Sequence, residues 1–552
     1  MLLAIGLAGT GVTAMAAFWA YFADPLLGKV CAYGILLGSI TIAAWSWRAL
    51  REQTRLLRRL GTPLALWALG SLFLVFLGFL HGGTDQPLPV AASRFSHTLP
   101  SDPEIPLFYS DWLFHHGHGA PPVFPGEWLS SDRPPLQIGY VLAQRPFAWD
   151  STNLHYEVLG VVIQQLWIVA AWALLIAARV RPTTRALAVI AVLVTDIAIV
   201  NGFFVWPKML AAAFLLAAAA LLVTPGQSTL RREPATTVLL ACLCGLAFLA
   251  HGASVFGIVP LLALAALRRL PGWRWVGAGL LAGAVLLVPW SAYQKYFDPP
   301  GNRVVKWQLA GVVPVDSRGT ATAVLDAYRK AGVWGTVDRK VDNFVTMSGG
   351  EPAVSTMGDA VDRLTSGEVA QAIRDVRSVR FFYLLPSLGL YVLVPVLMMA
   401  ARRRGRRNPT DWRFAVICFS LTALGWLFWG LLMFGPPDAP ALIHVGSLAL
   451  PVLAVCGAVA GLRATFPRLA SILVGANVLA ALVLYAPSLD PLPGSGYSGF
   501  AAVLATASLA GFGLVAFRAD ATSSPSATSS ARSAQGEDPL ALEARVITAR
   551  AD

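Results

Sequence analysis

The sequence predicts an all-α polytopic membrane protein, about 14 transmembrane helices with two long external loops that carry short interfacial helices. Three observations predict it. Of 552 residues, 56% are hydrophobic and 13% charged, where a soluble domain carries roughly 25% charge. Apolar runs long enough to cross a bilayer as helices recur from end to end. Arginines cluster in alternate loops between those runs. This composition excludes an ordinary soluble enzyme, a disordered chain and a fibre. The net charge of +12 is accounted for by the loop arginines, so no nucleic-acid partner is expected.

The expected spans are 3–22, 30–47, 62–80, 155–177, 186–203, 207–223, 238–252, 253–267, 276–292, 380–400, 414–434, 446–462, 469–487 and 498–517. The first run, Leu2 to Phe22, has no small-residue cleavage site followed by a soluble domain, and is read as a retained helix. With this count one side collects Arg48, Arg51, Arg55, Arg58 and Arg59, then Arg179, Arg181 and Arg185, then Arg231 and Arg232. Arg268, Arg269 and Arg274, the Arg402–Arg407 cluster, and Arg463 with Arg468 fall on the same side. The positive-inside rule makes that side the cytoplasm, with both termini there. The expected placement is a bacterial plasma membrane. Cys31, Cys242, Cys244, Cys418 and Cys456 lie in or beside apolar runs without metal-site spacing. The chain divides into an N-terminal hairpin (1–60), a central module (61–450), C-terminal helices (451–517) and a Ser/Ala/Thr-rich tail (518–552) expected to be disordered.

The opposite side carries two long loops, 81–153 and 293–379. Loops of this length need a function or are disordered. These are not low-complexity: they hold Trp112, Trp128, Trp149, Trp307 and Trp334. Ile105–Phe114 and Thr322–Trp334 carry apolar residues at helical spacing, which predicts short helices at the outer interface.

The first loop also concentrates acids and histidines. His115-His116-Gly117-His118 reads either as a metal site or as solvated polar loop. Asp102-Pro103-Glu104 opens a predicted helix: Asp102 is placed to cap it, and Pro103 suits its first turn. The other reading of Asp102 is a general base, with Glu104 beside it. Asp132 and Arg133 either bind a polar substrate or pair with each other. Asp196 lies within a span, where an acid is a functional candidate by default. Trp206-Pro207-Lys208 sits at an outer helix end; Lys208 either grips a lipid phosphate or snorkels. The second loop opens with Tyr293, Lys295 and a rigid Asp298-Pro299-Pro300-Gly301-Asn302 turn. Arg303 and Lys306 follow, a fork suited to phosphate or pyrophosphate or to anionic lipid in general. His444 borders a later outer turn, and His251 another; for both, capping or packing is the competing reading.

This pattern resembles the GT-C superfamily of polyprenyl-phosphate-sugar glycosyltransferases. Asp102-Pro103-Glu104 matches the D-x-E variant of that family's acidic pair in the first large external loop. The stretch from about 62 to 450 carries the resemblance. In the family the acidic pair usually follows the first transmembrane helix, and here it follows the third. The resemblance implies an inverting transfer of sugar to a glycan, lipid or protein acceptor on the external face. Asp102 would be the base, Arg303, Lys306 and Lys208 would hold the donor phosphate, and Asp132, Arg133, Tyr293 and His444 would line the substrate site. Glu104 or Asp132 would orient the acceptor or hold a divalent cation such as Mg or Mn. Two rival readings are a polysaccharide polymerase or ligase using His444 and Arg303, and a lipid-linked glycan flippase or other transporter.

Overall fold

Every regular element among the described residues is a helix, the arrangement that satisfies backbone groups within one segment where lipid offers no partner. The computed structural model describes residues 1–95, 99–100, 103–118, 128–148, 151–224, 234–267, 272–347, 350–378, 394–405, 408–435, 447–488 and 496–521. The chain opens with α1 (Leu2–Ala23), α2 (Pro25–Glu52) and α3 (Thr54–Gly78). Asp24 turns the first hairpin: its carboxylate accepts from the Leu26 and Leu27 amides at 2.8 and 2.9 Å, and Pro25 occupies the first turn. The first long loop holds α4 (Pro87–Ser93), α5 (Glu104–His116) and α6 (Leu136–Gln144). Then come α7 (Thr152–Gln164), α8 (Leu166–Ala177), α9 (Pro182–Leu193), α10 (Asp196–Phe203), α11 (Lys208–Val223), α12 (Pro234–Ala250), α13 (Val255–Leu267) and α14 (Trp273–Tyr296). The second long loop holds α15 (Arg303–Ala310), α16 (Thr320–Met347), α17 (Gly350–Thr365) and α18 (Val369–Ser378). The chain continues through α19 (Val394–Ala400), α20 (Arg402–Gly405), α21 (Pro409–Leu432), α22 (Ala449–Thr465), α23 (Pro467–Tyr485) and α24 (Gly499–Ala521).

Among the described residues eight helices are long and apolar enough to cross a membrane: α1, α2, α3, α7 with α8, α14, α21, α23 and α24. The α9–α10 pair, bent by 53°, makes a ninth if it is one span. The rest of the expected spans include shorter apolar helices: α11, α12, α13 and α22. The physical reason is clearest at α11. Its 16 residues are all buried, and they rise about 24 Å against a hydrocarbon core of about 30 Å. A helix wrapped by others meets side chains at its ends instead of lipid. The predicted helix at Ile105–Phe114 falls within α5, and that at Thr322–Trp334 within α16, which breaks at Gly332.

One apolar core contains buried residues from Ala4 to Ala516. It runs on across positions 60 and 450, where the sequence suggests divisions. α1 packs on α6, α11 and α12, so the first helix shares the core of the central module.

Three polar clasps hold helix ends. At the starts of α9 and α21, Arg181 meets Asp411 at 2.8 Å, and Thr184 donates to the same carboxylate at 2.8 Å. Arg181 also reaches Asn408 and the Arg463 carbonyl, each at 3.0 Å, which brings in the end of α22. At the other end, called outer here, Arg94 donates to the Leu77 and Gly78 carbonyls closing α3 and to those of Tyr485, Ala486 and Pro487 closing α23. Arg377 joins it on the Leu484 and Pro487 carbonyls. Lys340 and Asn343 of α16 do the same for the end of α21, at Leu432, Met433 and Gly430.

Two predictions follow from these clasps. Asp411 is fully buried, so Asp411→Ala leaves Arg181 and Thr184 without their acceptor and is expected to destabilise the fold by about 3 kcal/mol. Thermal unfolding in detergent reads this, and an unchanged midpoint would remove the clasp from the account. Burial, with Arg339 beside it, pushes Lys340 from the ordinary 10.5 down to about 8. Between those values the unfolded chain holds a proton that the folded chain has released, so stability rises with pH. The melting temperature is expected to climb between about pH 8 and 10.5, and to climb less in Lys340→Met; equal climbs would assign the effect to another group.

Candidate functional site

Aromatic spacing builds the floor of the site. On the last turns of α14, Trp290, Tyr293 and Phe297 recur at i, i+3 and i+7 and stack along one face, with ring centroids 4.9 and 6.0 Å apart. Phe18 and Phe22 at the end of α1, and Tyr109 of α5, pack edge-on or tilted against them. Tyr293 is buried, and its hydroxyl meets the Ser130 hydroxyl.

Ser130 opens a short 3-10 turn, Ser130–Asp132, laid over that floor. Asp298 fixes it: one carboxylate oxygen accepts from the Ser130 hydroxyl and from the Ser131 amide at 2.8 Å. Gln294 donates to the Ser131 carbonyl at 3.0 Å. Asp132 is buried, accepts from the Leu129 amide at 2.9 Å and pairs with Arg303 at 3.3 Å. Burial pushes the Asp132 carboxyl up, and the Leu129 amide and Arg303 offset part of that rise. Arg303 also donates to the Val313 carbonyl at 3.1 Å. Arg133 and Arg303 both lie against Trp128, 4.5 and 5.2 Å from its centroid.

Beside this turn lies a narrow recess at the outer end of the bundle. Pro103 and Pro106 from the start of α5 form one wall; Arg133, Gln137, Trp206 and His251 form the others. The Tyr156 hydroxyl donates to the Pro103 carbonyl. Gln137 donates to Tyr156 at 3.3 Å and to the Val205 carbonyl at 2.8 Å. Val205 has φ 49°, a strained conformation for a β-branched residue. Lys208 begins α11 buried, its ammonium 3.7 Å from the Trp206 ring centroid. His251 accepts from the Ala253 amide at 3.3 Å through Nδ1, which in the neutral ring puts the proton on Nε2. Lys208 and Arg133 are near enough for their charges to act on His251.

Of the residues singled out by sequence, Asp132, Tyr293 and Arg303 come together around the Ser130–Asp132 turn, and Arg133 reaches from it into the recess. Glu104 is the first residue of α5, half-buried, and burial pushes its carboxyl up. Helix α5 starts one residue after Pro103, with no side-chain cap at that position; Asp102 lies outside the described residues, as does His444. Lys306 is fully buried and donates to the Asp316 and Arg318 carbonyls, so it closes its own loop instead of facing the recess. Among the described residues no three His, Cys, Asp or Glu side chains converge as a metal site. In the histidine run, His115 sits 3.8 Å from Asp111 and His116 stacks on Trp112.

Sequence reasoning undervalued Asp298, read as a turn residue, and His251. It missed Gln137, Tyr156 and Glu157. Glu157 is fully buried, and neither of its carboxylate oxygens has a hydrogen-bond partner among the described residues. Its only sequence signal is an acid in the first two turns of an apolar run.

Asp298→Ala frees the Ser130 hydroxyl and Ser131 amide together. Amide exchange across 128–133 is expected to quicken, and stability to fall by about 2 kcal/mol; unchanged exchange there would mean that Tyr293, Gln294 and the Asp132–Arg303 pair hold the turn without Asp298. No protein-family model, curated protein or solved structure matches this chain.

Proposed function

We propose that the chain is a GT-C-type membrane glycosyltransferase. It would cross a bacterial plasma membrane about 14 times, with the arginine-rich loops and both termini in the cytoplasm and the recess on the external face. The observation that carries this reading is the set of charged and aromatic groups gathered around the recess. There the start of α5, next to Asp102-Pro103-Glu104, faces Arg133 and His251, with Lys208 close by. Sugar transfer from a lipid phosphate requires a base near cations; Arg133 lines the recess, and Lys208 lies behind its Trp206 wall.

In this mechanism Asp102 takes the proton of an acceptor hydroxyl, and the resulting oxygen attacks the anomeric carbon in line. The bond from that carbon to the phosphate oxygen breaks with inversion. Arg133 and Lys208 would neutralise the departing polyprenyl phosphate, and His251 would donate to it through Nε2. Arg303 acts at one remove, holding Asp132 and so the turn that bears Arg133. The transporter reading draws on Asp196, whose buried carboxylate accepts from Tyr485 at 2.7 Å, and on Glu157: two acids inside the helical bundle.

Transfer from radiolabelled polyprenyl-phosphate sugars in membranes tests the proposal. Wild type is expected to transfer, and Asp102→Asn to lose about 10²–10⁴ in rate while folding normally. Equal rates would remove Asp102 as the base. Absence of transfer with every donor would favour the transporter.

A further inference from the structure

Helix α16 breaks at Gly332, where φ is 65°, a value glycine adopts without strain. The helix that follows, 333–347, turns back along the outer end of α21, and its contacts run in order. Arg339 donates to the Gly435 carbonyl, and Lys340 to those of Leu432 and Met433. Asn343 donates to Gly430 at 2.9 Å and Met433 at 2.8 Å. The Phe344 ring lies so close to Gly430 that a Cβ there would meet it at 2.5 Å. Met347 packs against the cluster of Phe256, Trp429 and Leu450. From 339 to 347, then, the helix descends beside α21 from Gly435 to Trp429, antiparallel to it.

That descent fixes a depth. Residues 429–432 belong to a helix long and apolar enough to cross a membrane, and Leu424, Leu427 and Leu431 on it are exposed. The last turns of α16 are therefore level with an apolar surface that needs lipid. At about 100° per residue this part of α16 has three faces. Arg339, Lys340, Asn343 and Met347 form the one on α21. Val333, Trp334, Val337 and Val341 form a stripe on one flank, with exposures of 76, 78, 43 and 53%. Asp338 and Asp342, also exposed, occupy the other flank.

We propose that the Val333–Val341 flank of α16 is inserted into the outer leaflet. Trp334 sits at the headgroup boundary and Val341 among the acyl chains, while the aspartate flank faces water. The occupant is lipid, because Val341 is level with the exposed Leu431 of α21 and the rest of the stripe rises from it toward the headgroups. The second long loop is thus moored to the bilayer as well as to the helix ends, whatever reaction the recess performs.

The test uses the full chain in nanodiscs of phosphatidylcholine and phosphatidylglycerol. Photoreactive benzoylphenylalanine replaces Val337, Val341, Asp338 or Asp342 in turn, and Leu427 as the reference. Exposed positions tolerate the group, and each variant is admitted only if it melts as wild type does. Mass spectrometry is expected to find lipid adducts at Val337 and Val341 at the level of Leu427, with loss of adducts at Asp338 and Asp342. Adducts at Leu427 but none at Val341 would overturn the proposal. So would equal adducts on both flanks, or cross-links from Val341 to a second copy of the chain.

Discussion

Helices that end at the outer face leave carbonyl oxygens that their own hydrogen-bond ladders cannot satisfy, together with the negative pole of the helix dipole. At three such ends the cover comes from buried or half-buried cations in the two long loops. Arg94 serves α3 and α23 at once, Arg377 shares α23, and Lys340 with Asn343 serves α21. Burial and the nearby Arg377 push Arg94 down to about 9, which still leaves it charged at neutral pH. The arrangement is costly to break, because a truncated cation uncovers several buried carbonyls together. It also explains why loops of such length are ordered: they are tied to the bundle at its most polar points.

The site depends on that tethering. Its walls come from stretches far apart in sequence: the start of α5, the turn at 128–133, the turn at 203–208 and the end of α12. Helix α15 joins them to the bundle, since the Gln308 carbonyl accepts from the Phe434 amide at 2.8 Å just past α21. Arg303 and Asp132 satisfy each other and stiffen the turn, while Arg133 and His251 line the recess with Lys208 behind Trp206. Helical and loop residues far apart in sequence thus share one charged and aromatic neighbourhood.

Much of the architecture was legible in the sequence, and the reasons are local. Apolar spacing marks α5 and the first part of α16, and runs of apolar residues mark the helices; the Asp24-Pro25 start of α2 went unread, the expected span beginning at residue 30. Span counting was less decisive at α11, because a short helix buried by its neighbours is as apolar as one that meets lipid. Arg303 and Lys306 were legible as a fork after the rigid turn, but not as residues of the helix α15. Their separate partners were not, because residues 313–318 fold back and bring the Val313, Asp316 and Arg318 carbonyls to them. Helical spacing says which side chains share a face. It does not say which distant backbone will meet that face.

The same limit explains the strained turn at the recess. Nothing in Phe203-Phe204-Val205-Trp206 signals a positive φ, since valine is among the residues least suited to it. Two distant residues hold it there. Gln137 takes the Val205 carbonyl, and Gly160 of α7 leaves room for the Val205 side chain, where a Cβ would stand 2.4 Å from Val205 Cγ1. With residue 205 so held, Trp206 turns toward the recess and Lys208 starts α11 beside it. Backbone strain persists only where its surroundings over-determine it, and such places concentrate at functional sites. Here the strained Val205 and the buried Lys208 flank Trp206, which lines the same narrow space as His251 and the start of α5. That coincidence is the reason to probe the recess first, and it is separate from the acidic motif that first drew attention to it.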